Sequence, residues 1–370
     1  MKKIICFSLM LLVFSLIPVG AVSTSAKAAA VINGDTGEII YAQNADEKLP
    51  MASTTKIMTA LLLCENADLN EEITVTANML KVEGSSMGLL AGDMVTFHDL
   101  LYGMMLASGN DAANVTAISL GGTVEKFAVL MNKKAEELGL SNTHFVTPSG
   151  LDADGHYTTA KDLALLAAYA LKNECFAKAA ASESAVLNYG NPPYRRSLTN
   201  HNKMLKLFDG AVGVKTGFTK KSGRCLVSAA RRDGKLAVAV TLNDPDDWND
   251  HANLLDYGLD AIQQTNYSPK ISCYNIPVIG SDEEQIEVFI EPYTINTLET
   301  DNITCDVKLP RFLYAPIAKG DILGTVEYKM GDEVIGTVEL TALRDIHALP
   351  EKISFYEEIK QIIKYILKSI

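Results

Sequence analysis

The sequence predicts an α+β fold: an antiparallel sheet with helices on both sides, then a small all-β sandwich, then a C-terminal amphipathic helix. Three observations point there. Strand-like segments open and close residues 29–267 with helical segments between them, which brings both ends into one antiparallel sheet. From Lys270 to Thr341, short apolar alternations are separated by Gly, Pro and Asp, the pattern of a β-sandwich. Last, Phe355, Ile359, Ile362, Ile363, Ile366 and Ile370 recur at helical spacing. With 370 residues, 48% hydrophobic and 21% charged, the chain can bury about two cores.

At the start, Lys2 and Lys3 precede an apolar run from Ile4 to Val19, and small residues follow to Ala26-Lys27-Ala28. This is the layout of a secretory signal peptide over residues 1–28. An uncleaved anchor would use the same apolar run, but Pro18 and Gly20 interrupt it and the small-residue site follows. The whole chain carries 33 Lys and Arg against 45 Asp and Glu, so 33 − 45 = −12. Without Lys2, Lys3 and Lys27 it becomes 30 − 45 = −15. Such an acidic chain lacks the cationic surface that nucleic acid binding requires, which excludes that partner.

Further along, Gly34-Asp35-Thr36-Gly37 turns between apolar runs at 30–33 and 39–41, predicting a hairpin. Apolar spacing predicts helices over 54–63, 98–107, 111–120, 124–138 and 159–170, with Gly139 as a stop. Strands return at 212–216, 224–231 and 235–242, the last two joined through Asp233-Gly234. The expected organisation is therefore a signal peptide at 1–28, a first domain at 29–267, a β-sandwich at 268–345 and a helix at 346–370. In that helix Lys360, Lys364 and Lys368 recur on a face away from the isoleucines. It is too charged to span a bilayer but suits a membrane surface, with residues 350–370 in the headgroup region. The alternative is a helix packed on its own protein or on a second copy.

Cys64, Cys175, Cys225, Cys273 and Cys305 remain after the signal peptide, an odd number without C-x-x-C spacing. Most read as small buried hydrophobes, with a Cys273–Cys305 bridge as one option. No Cys and His set has zinc-ligand spacing, so neither a metal nor another cofactor is expected.

Chemistry concentrates in short motifs. Ser53-Thr54-Thr55-Lys56 is an S-x-x-K where an apolar helix begins. Residues three apart share a helix face, so Lys56 can reach the Ser53 hydroxyl. A desolvated lysine near another cation loses its proton near neutral pH and can activate a serine. Ser108-Gly109-Asn110 lies between two predicted helices and can present a hydroxyl and a carboxamide to a cleft. Lys215-Thr216-Gly217 ends a strand, where a cation and a hydroxyl can hold a carboxylate and a glycine admits a neighbouring backbone. Each motif alone is equally a helix cap or a turn.

In this order the motifs resemble those of the penicillin-binding proteins and class A β-lactamases. S-G-N in the middle resembles the serine-type D-alanyl-D-alanine carboxypeptidases, the low-molecular-weight penicillin-binding proteins. Met105-Leu106-Ala107 before Ser108, Gly150-Leu151, His156-Tyr157 and Phe218-Thr219 extend the likeness, which runs from about Ala29 to the end. The resemblance implies a β-lactamase/transpeptidase-like catalytic domain and an exported enzyme on the outer face of the cytoplasmic membrane. It implies Ser53 as nucleophile, Lys56 as its base and Ser108 as a proton shuttle. Asn110 would orient the acyl-side amide, Lys215 and Thr216 would bind the terminal carboxylate, and Gly217 would admit the backbone. The N–H groups of Ser53 and Phe218 would form the oxyanion hole. The implied substrate is a peptidoglycan stem peptide ending in D-Ala-D-Ala, and β-lactam antibiotics would acylate Ser53. A β-lactamase or an esterase would use the same nucleophile, and an inactive wall-binding homologue would keep the fold. No Glu-x-x-x-Asn occurs between Ser108 and Lys215, which disfavours fast β-lactam hydrolysis. His156 reads as a cap for the helix from Thr159.

Overall fold

The computed structural model of the protein describes residues 22–298, 303–331, 333–349 and 355–368. In chain order, β1 (Ala28–Asn33) and β2 (Ile39–Gln43) precede a 3-10 turn over Ala52–Thr55 that runs into α1 (Lys56–Asn66). There follow β3 (Glu72–Thr74), β4 (Met94–Thr96), α2 (Phe97–Met105), α3 (Asn110–Gly121), α4 (Val124–Glu137), α5 (Ala160–Leu171) and α6 (Glu174–Ala181). Then come β5 (Ser184–Gly190), β6 (Pro193–Thr199), α7 (Met204–Leu207), β7 (Ala211–Thr219), β8 (Gly223–Arg232), β9 (Lys235–Leu242) and α8 (Asp247–Ala261).

The main sheet runs β2-β1-β9-β8-β7, antiparallel throughout. The first and last strands of the first domain's sheet meet in its middle, where β1 pairs with β9 from Ala28↔Leu242 to Asn33↔Ala237. Every residue of β1 is buried, because the period of two sends alternate side chains into separate cores. Ala30, Ile32, Val227, Val238 and Val240 pack into the helical layer that holds α1 to α6. On the other face Val31, Leu226, Ala237 and Ala239 meet Leu254, Leu255 and Leu259 of α8. Sequence patterning missed α8, whose aspartate-rich first turn reads as loop. Helix starts are fixed by side chains: Thr96 and Asp99 form a capping box on α2, and Thr123, Thr159 and Asn173 accept from the first turns of α4, α5 and α6.

Most of the expected signal peptide, residues 1–21, lies outside the described residues. Residues 25–28, however, belong to the folded body. The Ser25 N–H donates to Asp250 Oδ2 at 2.7 Å, and the Ser25 hydroxyl is 2.7 Å from Asp244 and 2.8 Å from Asp250. Ala26 and Ala28 are buried.

The chain then enters β10 (Gln263–Tyr267), β11 (Cys273–Ile279), β12 (Gln285–Phe289), β13 (Tyr293–Thr297), β14 (Ile303–Lys308), β15 (Leu313–Tyr314), β16 (Ile322–Met330) and β17 (Glu333–Thr341). These form small sheets, β10-β13, β12-β11-β15 and β14-β16-β17, around a core with Ile276, Ile286, Val288, Val326 and Tyr328. Helix α9 (Phe355–Lys368) ends the described chain. Among the described residues no helix is long and apolar enough to cross a membrane. The described cysteines are free thiols, and Cys273 and Cys305 stand on the separate strands β11 and β14. The pair that meets is instead Cys64 and Cys175, on α1 and α6, with Sγ atoms 2.8 Å apart.

Candidate active site

Two lysines, Lys56 and Lys215, are 0% and 1% exposed. An ammonium shut away from water is costly unless it is compensated, so their partners carry the meaning of the site.

Ser53 lies in the 3-10 turn rather than in the first turn of the α-helix that the sequence suggested. The turn is shaped locally: the Thr54 hydroxyl donates to the Met51 carbonyl at 2.6 Å, and that of Thr55 to the Ala52 carbonyl at 2.8 Å. Ala52 has φ of 48°, a left-handed conformation that a side chain disfavours and that clusters at functional sites. Lys56, three residues on, opens α1 and turns its amine back onto the serine. Its Nζ is 2.9 Å from Ser53 Oγ, 2.7 Å from Asn110 Oδ1 and 2.7 Å from the Ser149 carbonyl. The amide of Asn110 is held at its other end, where Nδ2 donates to the Glu83 carbonyl at 2.6 Å. A carbonyl can only accept, which fixes Oδ1 as the end facing Lys56.

A neutral amine has two N–H donors and one lone pair. Asn110 Oδ1 and the Ser149 carbonyl take both donors, so the lone pair is left to the Ser53 hydroxyl. After accepting that proton, the same amine would donate along all these directions. Burial, and then the charge of Lys215, push the Lys56 amine well below its usual range, against a smaller upward pull from Asp111. Burial alone brings Lys215 down to about 7.

Lys215 lies on β7, one of the two edge strands of the main sheet, and its Nζ donates to the Thr216 carbonyl at 2.9 Å. Gly217 is where β7 touches the serine turn: a Cβ there would stand 3.0 Å from the Ser53 N and 3.1 Å from the Ala52 Cβ. Phe218 extends its side chain into solvent at 66% exposure, so what it can bring to the site is backbone. Ser108 occupies the bend between α2 and α3, buried, with φ of 56°. Asp111 fixes the facing loop, taking the N–H groups of Met87, Gly88 and Leu89 at 3.0 to 3.1 Å.

Of the residues expected from sequence, Ser53, Lys56 and Asn110 are in direct contact, Gly217 lies against Ser53, and Lys215 acts on Lys56 through charge. Sequence reasoning missed the carbonyls of Glu83 and Ser149, because any residue type supplies a carbonyl. Only Gly150 gave a hint: at φ of 86° its Cβ would fall 1.9 Å from the Ala52 carbonyl oxygen. His156 has a different place from the one expected. Thr159 caps α5 itself, accepting from the Asp162 N–H at 3.0 Å. The Val146 N–H donates to His156 Nδ1 at 2.9 Å, which leaves Nε2 as the ring donor to Thr55 Oγ1 at 2.8 Å. A relay thus runs from His156 through Thr55 to the Ala52 carbonyl, one residue before the serine. Among the described residues no cluster of His, Cys, Asp and Glu could hold a metal ion.

The chain matches two families. One, described as D-alanyl-D-alanine carboxypeptidase, covers residues 17–246; the other, described as Penicillin-binding protein 5, C-terminal domain, covers 264–348. The chain is 33% identical over 334 residues to the D-alanyl-D-alanine carboxypeptidase DacF of Bacillus subtilis, spanning 87% of this chain and 86% of that one. It is similar to the crystal structure of the D-alanyl-D-alanine carboxypeptidase DacD from Francisella tularensis, with a TM-score of 0.64 and 27% identity over 88% of this chain and 95% of the other. The Streptomyces K15 DD-transpeptidase structure matches with a TM-score of 0.62 and 32% identity, over 64% of this chain and 98% of that one.

Proposed function

The chain belongs to the D-alanyl-D-alanine carboxypeptidase family, and from that premise we propose that Ser53 is the nucleophile with which it removes the terminal D-alanine of peptidoglycan stem pentapeptides. The observation that carries this reading is the arrangement around Lys56, where two carbonyl acceptors leave the amine's lone pair for the Ser53 proton. Ser53 Oγ attacks the carbonyl between the last two D-alanines as Lys56 takes its proton. Backbone N–H groups of Ser53 and Phe218 stabilise the oxyanion; losing one such donor typically costs on the order of 100-fold in rate. Ser108 passes a proton to the leaving amine, which departs as D-alanine, and water then hydrolyses the acyl-enzyme.

Lys215 and Thr216 bind the substrate's terminal carboxylate. Asn110 orients the acyl-side amide and, through Oδ1, the base as well. Gly217 keeps β7 close to the serine. β-Lactams acylate the same Ser53. Purified protein is expected to release D-alanine from a D-Ala-D-Ala pentapeptide and to carry one penicilloyl group on Ser53. Release that persists undiminished in Ser53→Ala would sink the assignment.

The first domain ends with α8 rather than at residue 267, since β10 pairs with β13 of the sandwich; the sandwich core takes in Ile346, and the terminal helix is α9. The chain is exported, with its leader removed upstream of Ser25, since Ser25, Ala26 and Ala28 are built into the body. Val19-Gly20-Ala21 offers small residues at the required spacing. Helix α9 anchors the enzyme to the membrane surface. In support, Ile363, Ile366 and Leu367 are exposed beside Lys360, Lys364 and Lys368. Liposome flotation with and without residues 350–370 tests the anchor; equal flotation would remove it.

A further inference from the structure

Cys64 lies near the C-terminal end of α1 and Cys175 is the second residue of α6, and their Sγ atoms are 2.8 Å apart although 111 residues separate them. Both thiols are part-exposed, so a soluble oxidant can reach them. Their positions join two supports of the site. Helix α1 opens with Lys56, while α6 packs behind β7, where a Cβ on Gly213 would stand 3.1 Å from the Ala180 Cβ. We propose that Cys64 and Cys175 are a modification site: they form a disulfide that staples the helix carrying the base to the helix backing the carboxylate-binding strand.

The chemistry balances with an external disulfide. Each thiol loses one hydrogen, an S–S bond forms between Cys64 and Cys175, and two electrons and two protons reduce oxidised glutathione or the disulfide of an exported thiol–disulfide oxidoreductase to two thiols. Burial, followed by the neighbouring Cys175, pushes the Cys64 thiol up, which makes it a slow attacking group and favours catalysed exchange. A bond that closes so long a loop removes much freedom from the unfolded chain. The oxidising compartment in which the bond would form rests on the export proposal, but the pair itself can be tested in vitro whatever the fate of that proposal.

The test incubates the full chain with oxidised glutathione, alkylates the remaining thiols under denaturing conditions and maps tryptic peptides without reduction. Peptides 57–81 and 173–178 are expected as one linked species, two hydrogens lighter than their sum. The species should vanish in Cys64→Ser and persist in Cys273→Ser. The oxidised protein should also melt several degrees above the reduced one. Alkylation of both Cys64 and Cys175 after oxidation, or a bridge from either to a different cysteine, would overturn the pairing. An unchanged melting temperature in the bridged protein would overturn the stapling role.

Discussion

Lysine is put to opposite uses in the two halves of this molecule. Around the serine, Lys56 and Lys215 are buried and their ammonium ends hydrogen-bond to carbonyls and a hydroxyl, with no carboxylate in hydrogen-bond contact among the described residues, while the charge of Lys215 bears on Lys56. On the β14–β16 ladder, Lys329 sits in water against Asp306 and Glu327, and Lys308 against Glu327. The consequences differ in sign: both buried amines are pushed down, whereas the hydrogen bond to Asp306 lifts Lys329. A cation denied carboxylates and water gives up its proton readily and can serve as a base. One given both stays charged and does no more than dress a surface.

The largest expected effect follows from breaking the first arrangement. Lys56→Ala removes the base and leaves the Asn110 and Ser149 acceptors facing a cavity. D-alanine release should fall by about 100- to 10,000-fold, the usual range for a positioned general base. Single-turnover kinetics check this, with circular dichroism to confirm the fold. Activity within a factor of a few of wild type would mean that another group takes the Ser53 proton.

Next is Lys215→Met, which keeps the bulk and removes the charge. Losing a charged partner for the terminal carboxylate should lower kcat/KM by on the order of 10- to 100-fold. It should also move the pH profile in a definite direction. The charge of Lys215 helps depress Lys56, so without it the base titrates higher and the acid limb of kcat/KM shifts to more alkaline pH. Stability follows the same charge. Lys215 is held at about 7 in the folded protein but takes its ordinary, much higher value when unfolded. Between those values the unfolded chain binds the extra proton, so wild-type stability rises with pH across the window. The advantage of Lys215→Met in urea unfolding should therefore be greatest below pH 7 and shrink toward pH 10. A gap that does not change with pH would show that the lysine is not desolvated.

The contrast between the halves also sets how much could be read from the sequence. The β-rich half was legible as a type because alternation marks half-buried strands. The catalytic half was legible because S-x-x-K, S-G-N and K-T-G are side-chain patterns with fixed spacing. Contacts supplied by the main chain stayed hidden. Glu83 and Ser149 hold the site through carbonyls, and Ala52 matters through its φ rather than its methyl group. The β5–β6 hairpin was missed as well, since Arg195 and Arg196 break its apolar alternation. Arg196 is in fact placed between the rings of Tyr189 and Tyr194, with its guanidinium donating to the Gly88 carbonyl at 2.6 Å. Cys64 and Cys175 could be paired only once the fold had brought α1 and α6 together.

A smaller effect is expected at His156, which links the two kinds of residue: it is titratable, yet it works through a hydroxyl and a carbonyl. Burial, and then His144, bring it down to about 4. Since the unfolded chain protonates it near 6.5, the folded state loses stability as pH falls from about 6.5 to about 4. His156→Gln can still bond Thr55 but does not titrate. It should flatten that part of the stability curve and lower kcat modestly at neutral pH. Thermal melts at closely spaced pH values check the first, and an unaltered acid slope would remove His156 from the account.

The smallest effect belongs to the surface ladder. In Lys329→Ala, Asp306 and Glu327 lose a partner but remain in water, which solvates them at little cost. Diagonal charge pairs across neighbouring strands add only slightly to sheet stability, and salt screens them further. D-alanine release should be unchanged and the melting temperature nearly so, with any difference disappearing in high salt. Comparison of Lys329→Ala with Lys56→Ala in the same assay separates the two uses of the side chain. If the exposed substitution also cut activity, the C-terminal half would have to act on the serine site at a distance, and the division of labour drawn from burial alone would fail.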